Sequence, residues 1–154
     1  MTVGRPLALR KIRDDLWIRI PRKRSRTIVT NLVVGWIGVL LGVLAGAAMG
    51  LSFWREDWLG GYGSWRRRMV RLGHISFFGL GFVNIAFALS ASRLAVPRGP
   101  ALVAGSYGLC LGAATMPLIC YLSAWRPPFR HLFFVPVAAV TGGVAIMVME
   151  ALAQ

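Results

Sequence analysis

Acidic residues are scarce in this sequence. Its 154 residues include five Asp and Glu against 18 Lys and Arg, which gives a formal net charge of +13. A protein that moves ions through its core is expected to carry a buried carboxylate near the membrane midplane, and the apolar runs offer only Glu150, close to the end of the last one. A small transporter is therefore our third interpretation of the function, after the two described below.

Cysteines and catalytic motifs are equally sparse. Cys110 and Cys120 lie ten residues apart in one apolar run, and a helix would hold their Cα atoms about 15 Å apart, too far for a disulfide. The sequence contains no Cys-x-x-Cys pair, His-Glu-x-x-His motif, phosphate-binding loop, dinucleotide fingerprint or nucleophile elbow. We therefore expect a protein that is not an enzyme.

Hydrophobic residues, in contrast, are abundant. They make up 56% of the chain, and the mean hydropathy is +0.63. Four apolar runs, at about 31–53, 72–91, 101–124 and 131–152, are each long enough to cross a hydrocarbon core of roughly 30 Å as a helix. The sequence thus predicts an all-α integral membrane protein whose residues 31–154 form a bundle of four transmembrane helices.

A basic segment, residues 1–30, precedes the first run, with nine Lys and Arg in its first 26 positions. Leu9, Ile12, Leu16 and Ile20 recur at helical spacing, which favours an amphipathic helix on the membrane surface that ends at Pro21. A disordered basic tail is the other interpretation. In both cases we expect contact with anionic lipid headgroups, and no nucleic acid partner, because the basic residues flank apolar runs.

The distribution of arginine and lysine predicts the orientation. With the N-terminus inside, eleven basic residues face the inner side and seven the outer side. The positive-inside rule therefore favours cytoplasmic N- and C-termini, and we expect the cytoplasmic membrane of a bacterium. Three consecutive arginines are unusual in an outer loop: Arg66, Arg67 and Arg68. One interpretation is that Glu56, Asp57 and outer-leaflet lipid neutralise them. We favour the other, which is contact with the acidic face of a partner protein.

Glycines in the first run repeat every four residues and form a flat ridge on one helical face, which includes Gly38, Gly42 and Gly46. Such a ridge lets a neighbouring helix approach closely, either within the chain or from another subunit. Together with the three loop arginines, these glycines are our predicted partner-binding residues. They predict a non-catalytic accessory or assembly subunit that binds other membrane-protein subunits.

Histidines carry the alternative function. His74 lies just inside the second run and His131 opens the fourth, so this topology places both at the same membrane face. Two imidazoles on facing helices can ligate a haem iron, and an imidazole with Cys120 or Met116 suits copper. His74 alone could also ligate a chlorophyll-type magnesium. The competing interpretation is that His74 hydrogen-bonds to a neighbouring helix and that His131 is a solvated interfacial residue.

Overall fold

The computed structural model describes residues 26–94 and 99–153, and this part of the chain contains helices and turns but no strand. Its four α-helices are α1 (Arg26–Gly50), α2 (Trp65–Arg93), α3 (Pro100–Trp125) and α4 (Phe134–Leu152). Short 3-10 helices, Trp58–Gly60 and Pro127–Phe133, lie in two of the connections. The predicted all-α four-helix bundle is confirmed. The predicted amphipathic helix falls in the first 25 residues, outside the described part.

Helix α1 is shifted relative to its predicted span. It is already helical at Arg26, the first described residue, whereas the predicted span starts at Asn31, and it ends at Gly50 rather than Phe53. The early start is possible because a charged residue at a helix end can reach the headgroup region while its backbone remains helical. At the other end, Phe53 donates its backbone N–H to the carbonyl of Gly50 at 3.2 Å, and this three-residue spacing belongs to a tight turn instead of an α-helix.

Helix α2 begins seven residues earlier than the predicted start at Leu72. The side chain of Ser64 caps it, accepting a hydrogen bond from the backbone N–H of Arg67 at 3.1 Å. The arginine cluster therefore lies on the first turns of a helix instead of in a loop. The hydropathy pattern locates the hydrocarbon core but not the helix end, because a helix continues beyond the lipid wherever its backbone is capped.

The fourth crossing does not start as a regular α-helix. Its first turns form the 3-10 helix Pro127–Phe133, so His131 lies within that element. Two consecutive prolines restrict the backbone there and provide no N–H donors. Helix α3, by comparison, matches its predicted bounds to within one residue at each end.

Helices α2 and α3 lie at the centre of the bundle. Helix α1 packs mainly on α2 and also contacts α3, while α4 packs mainly on α3. Helices α1 and α4 do not approach each other within the described chain, so they lie on opposite flanks of the central pair. The interface between α3 and α4 is also built on small residues, since a methyl group on Gly108 would lie 2.8 Å from the carbonyl oxygen of Ala139.

The surface of the bundle is suited to lipid. All four crossings are long and apolar enough to span a membrane, counting Pro127–Leu152 as the fourth. Large apolar side chains remain exposed along the outer faces, as on α1 at Trp36, Leu40 and Leu44. By length and hydropathy this is a multi-pass membrane protein.

Candidate functional site

The ends of α1 and α3 and the starts of α2 and α4 meet at one end of the bundle, which we call the basic end. It carries seven arginines and two acidic residues: Arg55, Arg66, Arg67, Arg68, Arg71, Arg126, Arg130, Glu56 and Asp57. The structure gives one ion pair here, between Arg55 and Asp57 at 3.7 Å, with both side chains largely exposed. An exposed pair of this kind contributes little to stability. Most of the positive charge at this end is thus left without an acidic neighbour in the described residues.

The three consecutive arginines of α2 have different environments. Arg67 is buried, with 7% of its surface exposed, whereas Arg66 and Arg68 are exposed. Successive residues on a helix are about 100° apart, so three identical side chains point in three directions. Arg67 faces the connection between α1 and α2 of its own chain. For all three arginines, partner binding stays a prediction.

Aromatic rings surround the Arg67 guanidinium. Its Cζ lies 5.9, 5.6 and 5.2 Å from the ring centroids of Phe53, Trp58 and Tyr62. Arg67 also donates to the backbone carbonyl of Glu56 at 3.4 Å, while its Nε has no partner in the described part of the chain. Cation–π attraction to three rings offsets part of the cost of burying this charge. These three rings and Arg67 form a cage that holds the first connection against α2. No sequence motif predicted this cage.

A cavity of about 420 Å³ opens at the basic end, between the two connections. Ser64, Trp65 and Arg66 line one side, and Trp125 and Pro127 line the other. The two sides are also tied directly, because Trp65 donates its indole N–H to the backbone carbonyl of Ser123 at 2.7 Å. The sequence gave no signal that Trp65 and Trp125 would enclose a space.

His74 is half-buried and faces α1. A methyl group on Gly46 would lie 2.7 Å from its Cε1, and its ring meets Phe78 edge to face at a centroid distance of 5.4 Å. Its Nδ1 is buried and has no hydrogen-bond partner among the described residues. The glycine therefore makes room for the imidazole, and one ring nitrogen is buried without a partner among the described residues.

The other predicted ligands lie elsewhere. Cys120 is fully buried on α3, where its Cβ would lie 3.2 Å from a methyl group on Gly73, and Met116 is half-buried one turn away. His131 is exposed on a 3-10 helix that packs on α3 and α4 but not on α2. No three His, Cys, Asp or Glu side chains of the described chain converge as metal ligands. A haem or copper site stays a prediction that rests on His74.

The glycine ridge of α1 has its close neighbour within the chain. The predicted partner-binding glycines Gly38, Gly42 and Gly46 face α2. A methyl group on Gly38 would lie 3.1 Å from a backbone carbonyl oxygen of α2, and one on Gly42 would lie 2.8 Å from the ring of Phe78. These three glycines therefore pack against the protein's own second helix, and binding of another subunit at this ridge stays a prediction.

A buried polar cluster joins three helices at the opposite end of the bundle. Asn31 of α1 donates to the side-chain oxygen of Asn84 of α2 at 2.8 Å, and the hydroxyl of Ser106 of α3 donates to the side-chain oxygen of Asn31. The Asn84 amide also donates to the backbone carbonyls of Leu80 and Leu109. The sequence indicated a polar side chain at Asn84, but not its two partners. Because its members satisfy one another, the cluster is a structural connection and not an open site.

Comparison with known proteins identifies no relative: no family model, curated protein or solved structure matches this chain.

Proposed function

We propose that this protein is a non-catalytic accessory or assembly subunit of a membrane complex, and that it binds a partner membrane protein through exposed arginines at the basic end. The observation that supports this function is the positive charge of exposed arginines that have no acidic partner in the described chain. Arg68, Arg126 and Arg130 are exposed, and none of them forms an ion pair within the described chain. With both termini in the cytoplasm of a bacterium, as the count of basic residues favours, this end lies on the outer side of the membrane.

Exposed aromatic side chains at the same end of the bundle favour a protein partner. Trp54 is 81% exposed and Tyr62 is 68% exposed, both in the connection that precedes α2. Arginine and aromatic residues are enriched where proteins bind one another, and an acidic partner surface would supply the charges that this end lacks. The proposed partner surface therefore comprises the exposed arginines of the basic end together with the exposed rings of Trp54 and Tyr62.

Extraction of the tagged protein from its native membrane with a mild detergent tests this function. We expect it to migrate in native electrophoresis well above its own 16.8 kDa, together with a second membrane protein identified by mass spectrometry. The double variant Arg68→Glu/Arg130→Glu should retain roughly tenfold less of that protein, because like charges would then face each other across the interface.

The matched control is Arg68→Lys/Arg130→Lys, which keeps both charges and should keep the complex. A wild-type protein that is extracted only as a monodisperse, partner-free monomer would contradict the proposed function. Equal recovery of the partner with the glutamate and lysine variants would contradict the assignment of the surface.

A second candidate function is binding of haem or a metal ion through His74, and the buried, unpartnered Nδ1 of that residue favours it. A neutral imidazole is a common ligand for both. Protein expressed with haem and copper supplied should then show a Soret or charge-transfer band, or stoichiometric metal by elemental analysis. His74→Ala should abolish the signal, and His131→Ala, at the exposed histidine, should preserve it. A colourless, metal-free wild-type sample would exclude this candidate.

A further inference from the structure

The position of the cavity at the ends of membrane-crossing helices predicts that it lies at the depth of the lipid headgroups. Its walls are formed where two membrane-crossing helices terminate, at the first residues of α2 and the last residues of α3. Trp65 and Trp125 line it, and tryptophan rings concentrate at the boundary between hydrocarbon and headgroups. A ligand in this space would therefore meet the headgroup layer on its open side and apolar side chains beneath.

The charge of the cavity favours an anion. Arg66 is the charged residue of its lining, no acidic side chain lines it, and Arg66 forms no ion pair within residues 26–94 and 99–153. An arginine guanidinium matches the oxygens of a phosphate group with two parallel donors. A zwitterionic headgroup would bring an ammonium group into a site without a carboxylate, so a headgroup with net negative charge fits better.

The size and the remaining walls fit a lipid better than a free ion. A volume of about 420 Å³ is within the range of small-molecule sites and much larger than one phosphate ion requires. Leu59, Ala124 and Pro127 give apolar walls beside the indole rings, which suits the glycerol and ester region below a phosphate. We propose that this cavity binds the phosphate headgroup of an anionic phospholipid, held by Arg66 and flanked by Trp65 and Trp125.

Native mass spectrometry of the full chain in detergent, after removal of co-purified lipid, tests this site. We expect dioleoyl phosphatidylglycerol to bind roughly tenfold more tightly than dioleoyl phosphatidylcholine, at one molecule per chain. Arg66→Gln should remove that preference, since losing one hydrogen bond to a charged group changes affinity by about this factor or more. Arg66→Lys should keep most of it because the charge remains.

Arg68→Gln is the matched control, because Arg68 lies on the same turn of α2, is exposed and does not line the cavity. It should bind phosphatidylglycerol like the wild type. Trp125→Ala should weaken the binding of both lipids and leave the ratio of their affinities unchanged. Equal affinity of the wild type for the two lipids, or an equal loss in Arg66→Gln and Arg68→Gln, would overturn the proposal. Displacement of phosphatidylglycerol by an equimolar amount of inorganic phosphate would also overturn it, in favour of a free-phosphate site. The partner-binding surface is tested with Arg68 and Arg130, so the two proposals fail independently.

Discussion

Replacing Gly81 with valine is expected to separate α1 from α2 and to destabilise the bundle by about 3 kcal/mol or more, because helix backbones cannot move aside as a side chain can. A methyl group at this position would lie 2.9 Å from the carbonyl oxygen of Gly35 and 3.2 Å from the backbone nitrogen of Val39. Both are main-chain atoms of α1. The overlap can therefore be relieved only if the two helices move apart along their shared interface.

The measurement is unfolding of the purified variant in mixed micelles, followed by loss of helical circular dichroism as the denaturing detergent increases. Gly79→Val on the same helix is the control, because no atom lies within 4 Å of a methyl group placed there. Gly79→Val should change stability by no more than about 0.5 kcal/mol, as is usual for a surface substitution. Equal stability of the two valine variants would refute the close approach at Gly81.

The two glycine positions show what the sequence can and cannot predict. The four-residue glycine spacing on α1 correctly predicts that some helix approaches closely, since lipid gives no reason for such a ridge. The identity of that helix is a tertiary property, and periodicity along α1 contains no information about it. On α2, Gly79 and Gly81 are two residues apart in one apolar run, and only the packed structure distinguishes the exposed one from the one that contacts α1.

The arginines illustrate a second limit of prediction from sequence. Arg66, Arg67 and Arg68 are identical in sequence, yet one lines a cavity, one is caged by aromatic rings and one is exposed. Their different directions follow from the spacing of about 100° between successive helical residues, and they lie on the helix because α2 begins at Trp65. The cap at Ser64 sets that start, seven residues outside the hydrophobic run on which the prediction relied. A search for capping residues upstream of the run would have placed the arginines on the helix.

His74 shows a third limit of prediction from sequence. The polarity of this residue within an apolar run predicts a special environment, and the structure provides one in the space left by Gly46. The predicted convergence with a second histidine assumed that equal depth in the membrane brings two side chains together. Depth fixes the position of a side chain along the membrane normal only and does not determine its lateral distance from another side chain. His74 turns toward α1 on one flank of the bundle, whereas His131 precedes α4 on the other.

Substituting alanine for Asn84 should destabilise the fold by about 2 kcal/mol, through loss of the hydrogen bonds that its buried side chain makes between helices. The amide of Asn31 loses its 2.8 Å acceptor, and the carbonyl of Leu109 loses a donor at 3.3 Å. Leaving one buried polar group unsatisfied costs about 1–3 kcal/mol. Asn84→Leu should be similarly destabilised although it leaves little cavity, which separates the polar contribution from the loss of packing.

The control for Asn84 is Thr115→Val, because the Thr115 hydroxyl donates at 2.7 Å to the carbonyl of Leu111 in its own helix. That bond joins no two helices, and its loss should change stability by about 0.5 kcal/mol or less. A double-mutant cycle with Asn31→Ala and Asn84→Ala should give a favourable coupling of about 0.6 kcal/mol, the average for hydrogen bonds between membrane helices, and at most about 1.7 kcal/mol. Additive effects would show that the two side chains contribute through packing alone. A favourable coupling would show that the hydrogen bond between Asn31 and Asn84 joins α1 to α2 with a stability beyond that of packing alone.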